Sequence, residues 1–117
     1  MTSSSSFTSP ARDLLPEDIV EMIPRFGKTV LNHGPVFHLK WFTTDSSFTW
    51  YVSEFDPESK MAFGLVVGQF PIWGKFSATE TTRVLLSLGL IVERDLEFKP
   101  CHSSTITDEL FRPRFLW

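Results

Sequence analysis

The stretch from Val36 to Phe76 constrains the fold more than any other. It is dense in aromatic residues, it alternates with a period of two, and polar turns interrupt it at intervals that suit antiparallel hairpins. Phe37, Leu39 and Trp41 are expected on one side of a first strand, opposed to His38, Lys40 and Phe42. Thr43 to Ser47 is a polar turn. Phe48, Trp50 and Val52 then oppose Thr49, Tyr51 and Ser53, and Asp56 to Lys60 is a second turn with proline in a favoured place. A third strand runs from Met61 to Phe70. It has a large face of Met61, Phe63, Leu65 and Val67, and a small face of Ala62, Gly64, Val66 and Gly68. The small face leaves room for a helix, a partner's bulky side chain or rings from neighbouring strands. Ile72 to Phe76 is a short fourth strand.

Helical signals flank this sheet. Leu15 to Pro24 predicts a helix of about two turns, with Pro16 at its first position, Glu17 and Asp18 at its positive end, and Leu15, Ile19, Met22 and Ile23 on one face. Ser77 and Glu80 have the spacing of a capping box and open a helix from Ala78 to about Leu88, ended by Gly89. Val84, Leu85 and Leu88 form its expected buried stripe. Ile91 to Phe98 reads as a last strand, with Val92, Leu96 and Phe98 inward and Glu93, Asp95 and Glu97 outward. Arg94 breaks that pattern and is expected to snorkel or pair with an acid.

A chain of 117 residues with 42% apolar and 15% aromatic content is long enough for one core. The expected class is α+β: a single small domain with an antiparallel sheet of about four or five strands and two short helices on one face. Residues 1–13 read as a disordered lead-in, 14–100 as the domain, and 101–117 as an aromatic tail. The single cysteine, Cys101, rules out an intrachain disulfide and fits a reducing cytoplasm. No apolar run reaches the roughly 20 residues of a membrane helix, and Met1 to Pro10 lacks the pattern of a secretory signal.

Several strings match a known pattern in order: His38-Leu-Lys-Trp-Phe-Thr-Thr-Asp45, Phe48-Thr-Trp-Tyr-Val-Ser-Glu-Phe-Asp56, Ala62-Phe-Gly-Leu-Val-Val-Gly68, Gly74-Lys-Phe-Ser77 and Val92-Glu-Arg-Asp-Leu-Glu-Phe98. From Leu14 to Pro100 the chain resembles a family of short bacterial and phage-associated proteins known only as a domain of unknown function. The resemblance implies carriage by a plasmid, integrative element or phage. It brings no activity, cofactor or catalytic residue. Relatives carry a longer acidic segment before the Phe63-Gly-Leu-Val motif than the Asp56 to Lys60 turn found here.

Two surfaces are candidates for partner binding. Glu54, Asp56 and Glu58 follow the second strand, and Glu93, Asp95 and Glu97 lie on the last. As neighbours they would form a negative surface able to attract a basic protein, including a nucleic-acid-binding protein whose groove it blocks. The second is the tail, where Phe111, Phe115, Leu116 and Trp117 surround Arg112 and Arg114. It is expected to pack on the domain, or else to dock on a partner or a second copy.

The expected function is a non-enzymatic, cytoplasmic protein-binding module of a mobile element. In its concrete form it inhibits a host defence nuclease complex, in the manner of an anti-CRISPR or anti-restriction protein. One alternative is a nucleic-acid-binding accessory protein using Lys40, Lys75, Arg83, Arg112 and Arg114, which a net charge of −3 disfavours. The other is an enzyme with an unrecognised site, which would call for a pocket lined by His38, Tyr51 or Glu54. Paired carboxylates without a cleft do not make acid–base machinery. His33, His38, Cys101 and His102 lack metal-ligand spacing. No cofactor or metal is expected.

Overall fold

The computed structural model describes residues 12–27 and 35–110, with residues 108 and 109 described by their backbone alone. In chain order the elements are α1 (Glu17–Val20), β1 (Val36–Phe37), β2 (Leu39–Thr43), β3 (Thr49–Asp56), β4 (Met61–Val67), β5 (Pro71–Ser77), α2 (Ala78–Ser87), β6 (Val92–Arg94), β7 (Cys101–His102) and α3 (Ser103–Leu110). The α+β class holds. Five strands form one antiparallel sheet in the order β5-β4-β3-β2-β6, and β1 pairs with β7 in a second, two-stranded sheet. Strands β2 to β5 are a meander, and α2 carries the chain back across it so that β6 joins the far side of β2.

The turns follow their side chains. Asp45 accepts from the Ser47 amide and hydroxyl, Thr43 Oγ1 accepts from the Phe48 amide, and Ser46 takes φ 67°. In the next turn Asp56 accepts from the Glu58 amide and the Ser59 hydroxyl, and Lys60 takes φ 62°. Both are Asx-type turns, in which a short carboxylate satisfies the amide two residues on.

Each face of the large sheet has its own core. On one side Leu39, Trp41, Trp50, Val52, Phe55, Ala62, Phe76 and Val92 pack under Leu14, Ile23, Ala78 and Leu85, with Leu15, Ile19 and Val20 at the margin. The N-terminal helix and α2 therefore share one face, as expected. On the other side Phe37, Tyr51 and Leu65 pack against Val67, Phe98, Ile106 and Leu110. Residues beyond Pro100 supply β7 and α3, which cover this second face together with β1.

Phe37 does not share a face with Leu39 and Trp41. The chain changes course at His38, whose amide donates to the Val52 carbonyl at 2.8 Å, and Phe37 pairs with Cys101 instead of continuing β2. Phe37 then stacks with Tyr51 and Trp73 at centroid distances of 5.2 and 5.6 Å. A second irregularity lies in β3, where the register to β4 shifts between Val52 and Glu54. The extra residue is Ser53, whose hydroxyl donates to the Phe63 carbonyl. This bulge puts Glu54 opposite Phe63 and Phe55 opposite Ala62, so Phe55 joins the same core as Val52.

The helices also depart from expectation. Pro16 is the extended N-cap of α1, not its first helical residue. Beyond Glu21 the hydrogen bonds tighten to the three-residue spacing (Met22 to Ile19, Ile23 to Val20), which turns Met22 out to solvent while Ile23 stays buried. At α2, Ser77 Oγ accepts from the Glu80 amide at 3.1 Å, as the capping box requires. The Glu80 carboxylate completes no box. It pairs with Arg83 one turn on. Of the expected stripe only Leu85 is buried, and Val84 and Leu88 are exposed.

The last strand is shorter than expected. It stops at Arg94 because Asp95 starts a turn: its side chain accepts from the Glu97 amide and its carbonyl from the Phe98 amide. Leu96 is consequently exposed, and Phe98 belongs to the second core. Arg94 donates from Nε to the Asp13 carbonyl at 2.7 Å.

Candidate functional site

A helix of ten residues is about 15 Å long, and five strands span about 19 Å. Helix α2 touches the sheet mainly at β5 and β6. Below it, β4 presents the small residues Ala62, Gly64 and Val66. A groove of about 610 Å³ opens between helix and sheet, with Phe48, Trp50, Val66 and Phe76 as its floor and Val84 and Leu85 as one wall. The Phe48 and Trp50 rings lie 5.9 Å apart. Lys75, Ser77 and Glu80 give the rim its polar groups. Val84 is 48% exposed, so the apolar wall continues to the surface. The stripe assigned to α2 hid the groove, because it placed Val84 in the core.

The two glycines of that face have different causes. A Cβ on Gly64 would lie 1.8 Å from the Tyr51 carbonyl oxygen, so close backbone approach beside the bulge requires glycine there. A Cβ on Gly68 would meet the Phe48 ring at 2.9 Å. An aromatic ring from a neighbouring strand thus fills that gap.

The acidic residues do not come together. Strand β2 separates β3 from β6. Glu54 is 5% exposed and accepts from the Gly27 amide at 3.1 Å. Asp56 and Glu58 lie in the β3–β4 turn, where the Ser59 hydroxyl and then the Glu58 amide hold the Asp56 carboxyl below its usual range. Glu93 pairs with Arg12 at 3.2 Å and Asp95 with Lys40 at 3.6 Å. Glu97 is exposed. Phe111, Arg112, Arg114, Phe115, Leu116 and Trp117 lie outside the described residues, as does His33.

Of the candidate basic residues, the three among the described residues each have a partner, and Arg112 and Arg114 lie outside them. Lys40 pairs with Asp95, Arg83 with Glu80, and Lys75 Nζ sits 5.2 Å from the Phe26 ring centroid. Tyr51 belongs to the second core and Cys101 pairs with Phe37, and none of His38, Tyr51 and Cys101 lines the groove. Burial lowers the His38 pKa. Tyr51 is raised by burial first, then by the proximity of Cys101 and Asp95, and burial also raises the Cys101 thiol. His102 Nδ1 is 2.8 Å from Ser104 Oγ. Among the described residues no three histidine, cysteine or acidic side chains are grouped as metal ligands, and no helix is long and apolar enough to cross a membrane.

A family model described as "Protein of unknown function (DUF2958)" matches residues 14–109. The chain belongs to the DUF2958 family. Its match extends beyond the Pro100 limit of the resemblance, through β7 and into α3. No curated protein and no solved structure matches the chain.

Proposed function

We propose that this DUF2958 protein is a non-enzymatic, cytoplasmic protein-binding module carried by a mobile element or phage, and that its target is a host defence nuclease complex. The observation that carries the binding role is the open apolar groove beneath α2, with Val84 at its mouth. An apolar concavity of several hundred Å³ with a few polar groups at its rim has the form of a binding site. The choice of target rests on the resemblance of the chain's motifs to those of mobile-element proteins and on the mild net acidity. The groove replaces the joint acidic face as the candidate contact, since the two acidic sets are split by β2. The net charge of −3 disfavours the alternative, direct nucleic-acid binding.

The test is affinity capture from a host lysate with the wild-type chain and with Val84→Asp, followed by mass spectrometry. The expected result is a nuclease complex that the wild type retains and the variant loses. Recovery of no stable protein partner, or of one that both retain equally, sinks the proposal.

A further inference from the structure

The two edges of the large sheet are unequal. Strand β6 has three residues, and the segment before α1 lies alongside it through the Arg12–Glu93 pair and the Arg94–Asp13 hydrogen bond. Strand β5 has seven residues, and among the described residues nothing pairs with its outer side. Phe70, Ile72 and Trp73, at its start and just before it, are all exposed, Ile72 at 63%. Natural edges are usually blunted by charge, proline or brevity. Here Pro71 occupies only the first position and Lys75 is the single charge.

We infer that β5 is a self-pairing edge, through which two copies of this chain join antiparallel about a two-fold axis at Gly74 to form one continuous sheet. The sequence of β5, Pro-Ile-Trp-Gly-Lys-Phe-Ser, is self-complementary in that register. Ile72 faces Phe76 of the second copy, so apolar residues meet on the α2 side. Trp73 faces Lys75 of the second copy, twice over, which keeps the two lysines out of direct opposition. Gly74 meets itself at the axis, where a Cβ would meet nothing of its own chain within 4 Å beyond the adjacent residues. An interface of this kind is isologous and closes at two copies.

The test uses the purified full chain alone, so its outcome is independent of any host partner. Sedimentation velocity should show a concentration-dependent rise from 13.4 kDa towards twice that mass. Ile72→Lys should weaken the association at least about tenfold, with its circular dichroism and unfolding midpoint kept. In a Cys101→Ser background, Gly74→Cys should give a disulfide-linked dimer on oxidation. Lys75→Cys in the same background should not, because the register places the two Cα atoms beyond the roughly 7 Å that a disulfide spans. A wild type that stays monomeric overturns the inference and leaves the edge to a strand of another protein. A dimer that survives Ile72→Lys and is not trapped through position 74 also overturns it, and moves the contact elsewhere.

Discussion

The indole Nε1 of Trp41 donates a hydrogen bond to the Leu14 carbonyl at 2.8 Å. It ties the fully buried middle of β2 to the segment that leads into α1, and the same ring meets Phe76 edge-on at 5.6 Å. Trp41 thus joins three parts of the first core. Trp41→Phe should cost about 2 kcal/mol, since it leaves a buried carbonyl unpaired and removes part of a ring. Urea unfolding followed by circular dichroism measures it.

Gly64 and Gly74 lie opposite one another on β4 and β5, yet they should respond in opposite ways to alanine. At Gly64 the new methyl would run into the Tyr51 carbonyl, a backbone atom that cannot move without opening the β3–β4 pairing. A loss of about 3 kcal/mol or more is expected there. At Gly74 the methyl has open space, and alanine should be neutral or stabilising by about 0.5 kcal/mol. Unfolding midpoints of the two variants give the comparison directly.

Stability should fall with acid through His38. Burial lowers its folded-state pKa below the ordinary 6.5. Below 6.5 the unfolded chain takes up the proton and the folded chain does not, so the unfolded state binds more protons and stability rises with pH in that window. His38→Gln should flatten the slope between the folded value and pH 6.5. Denaturant midpoints collected from pH 5 to 7.5 show whether it does.

Val84→Asp should separate binding from folding. Its side chain stands at the groove mouth, so stability should stay within about 0.5 kcal/mol of wild type, while capture of a protein partner is lost. A thermal scan beside the capture experiment reads both quantities. A collapse in stability would show instead that Val84 is part of the core.

Local chemistry made the meander legible. The β2–β3 and β3–β4 turns are set by Asp45 and Asp56, and the period-two pattern assigned the faces of β3 and β4 down to Ala62 and Leu65. Long-range partners decided what was not legible. The break at His38 depends on β7, more than sixty residues away. The bulge at Ser53 arises from the fit of β4 against β3, which no period within β3 reveals. In α2 the spacing of Val84, Leu85 and Leu88 gave a valid helix and a wrong burial, because ten residues cannot cover five strands. Helix α3 carried a faint signal: Ile106 and Leu110 stand at helical spacing after Ser103. The condition for a joint acidic face was not legible either: β2 lies between the two acidic sets, and Glu54 is turned into the protein.

The two-sided cover of the sheet has a consequence for the order in which the chain is made. Everything needed for the first core is present once β6 has emerged from the ribosome. The second face is not closed until Ile106 and Leu110 arrive to meet Phe37, which was synthesised long before. Through that interval a nascent chain carries a wet apolar patch of Phe37, Tyr51 and Leu65. A product that stopped short of α3 would keep the meander and still present that patch to chaperones and proteases.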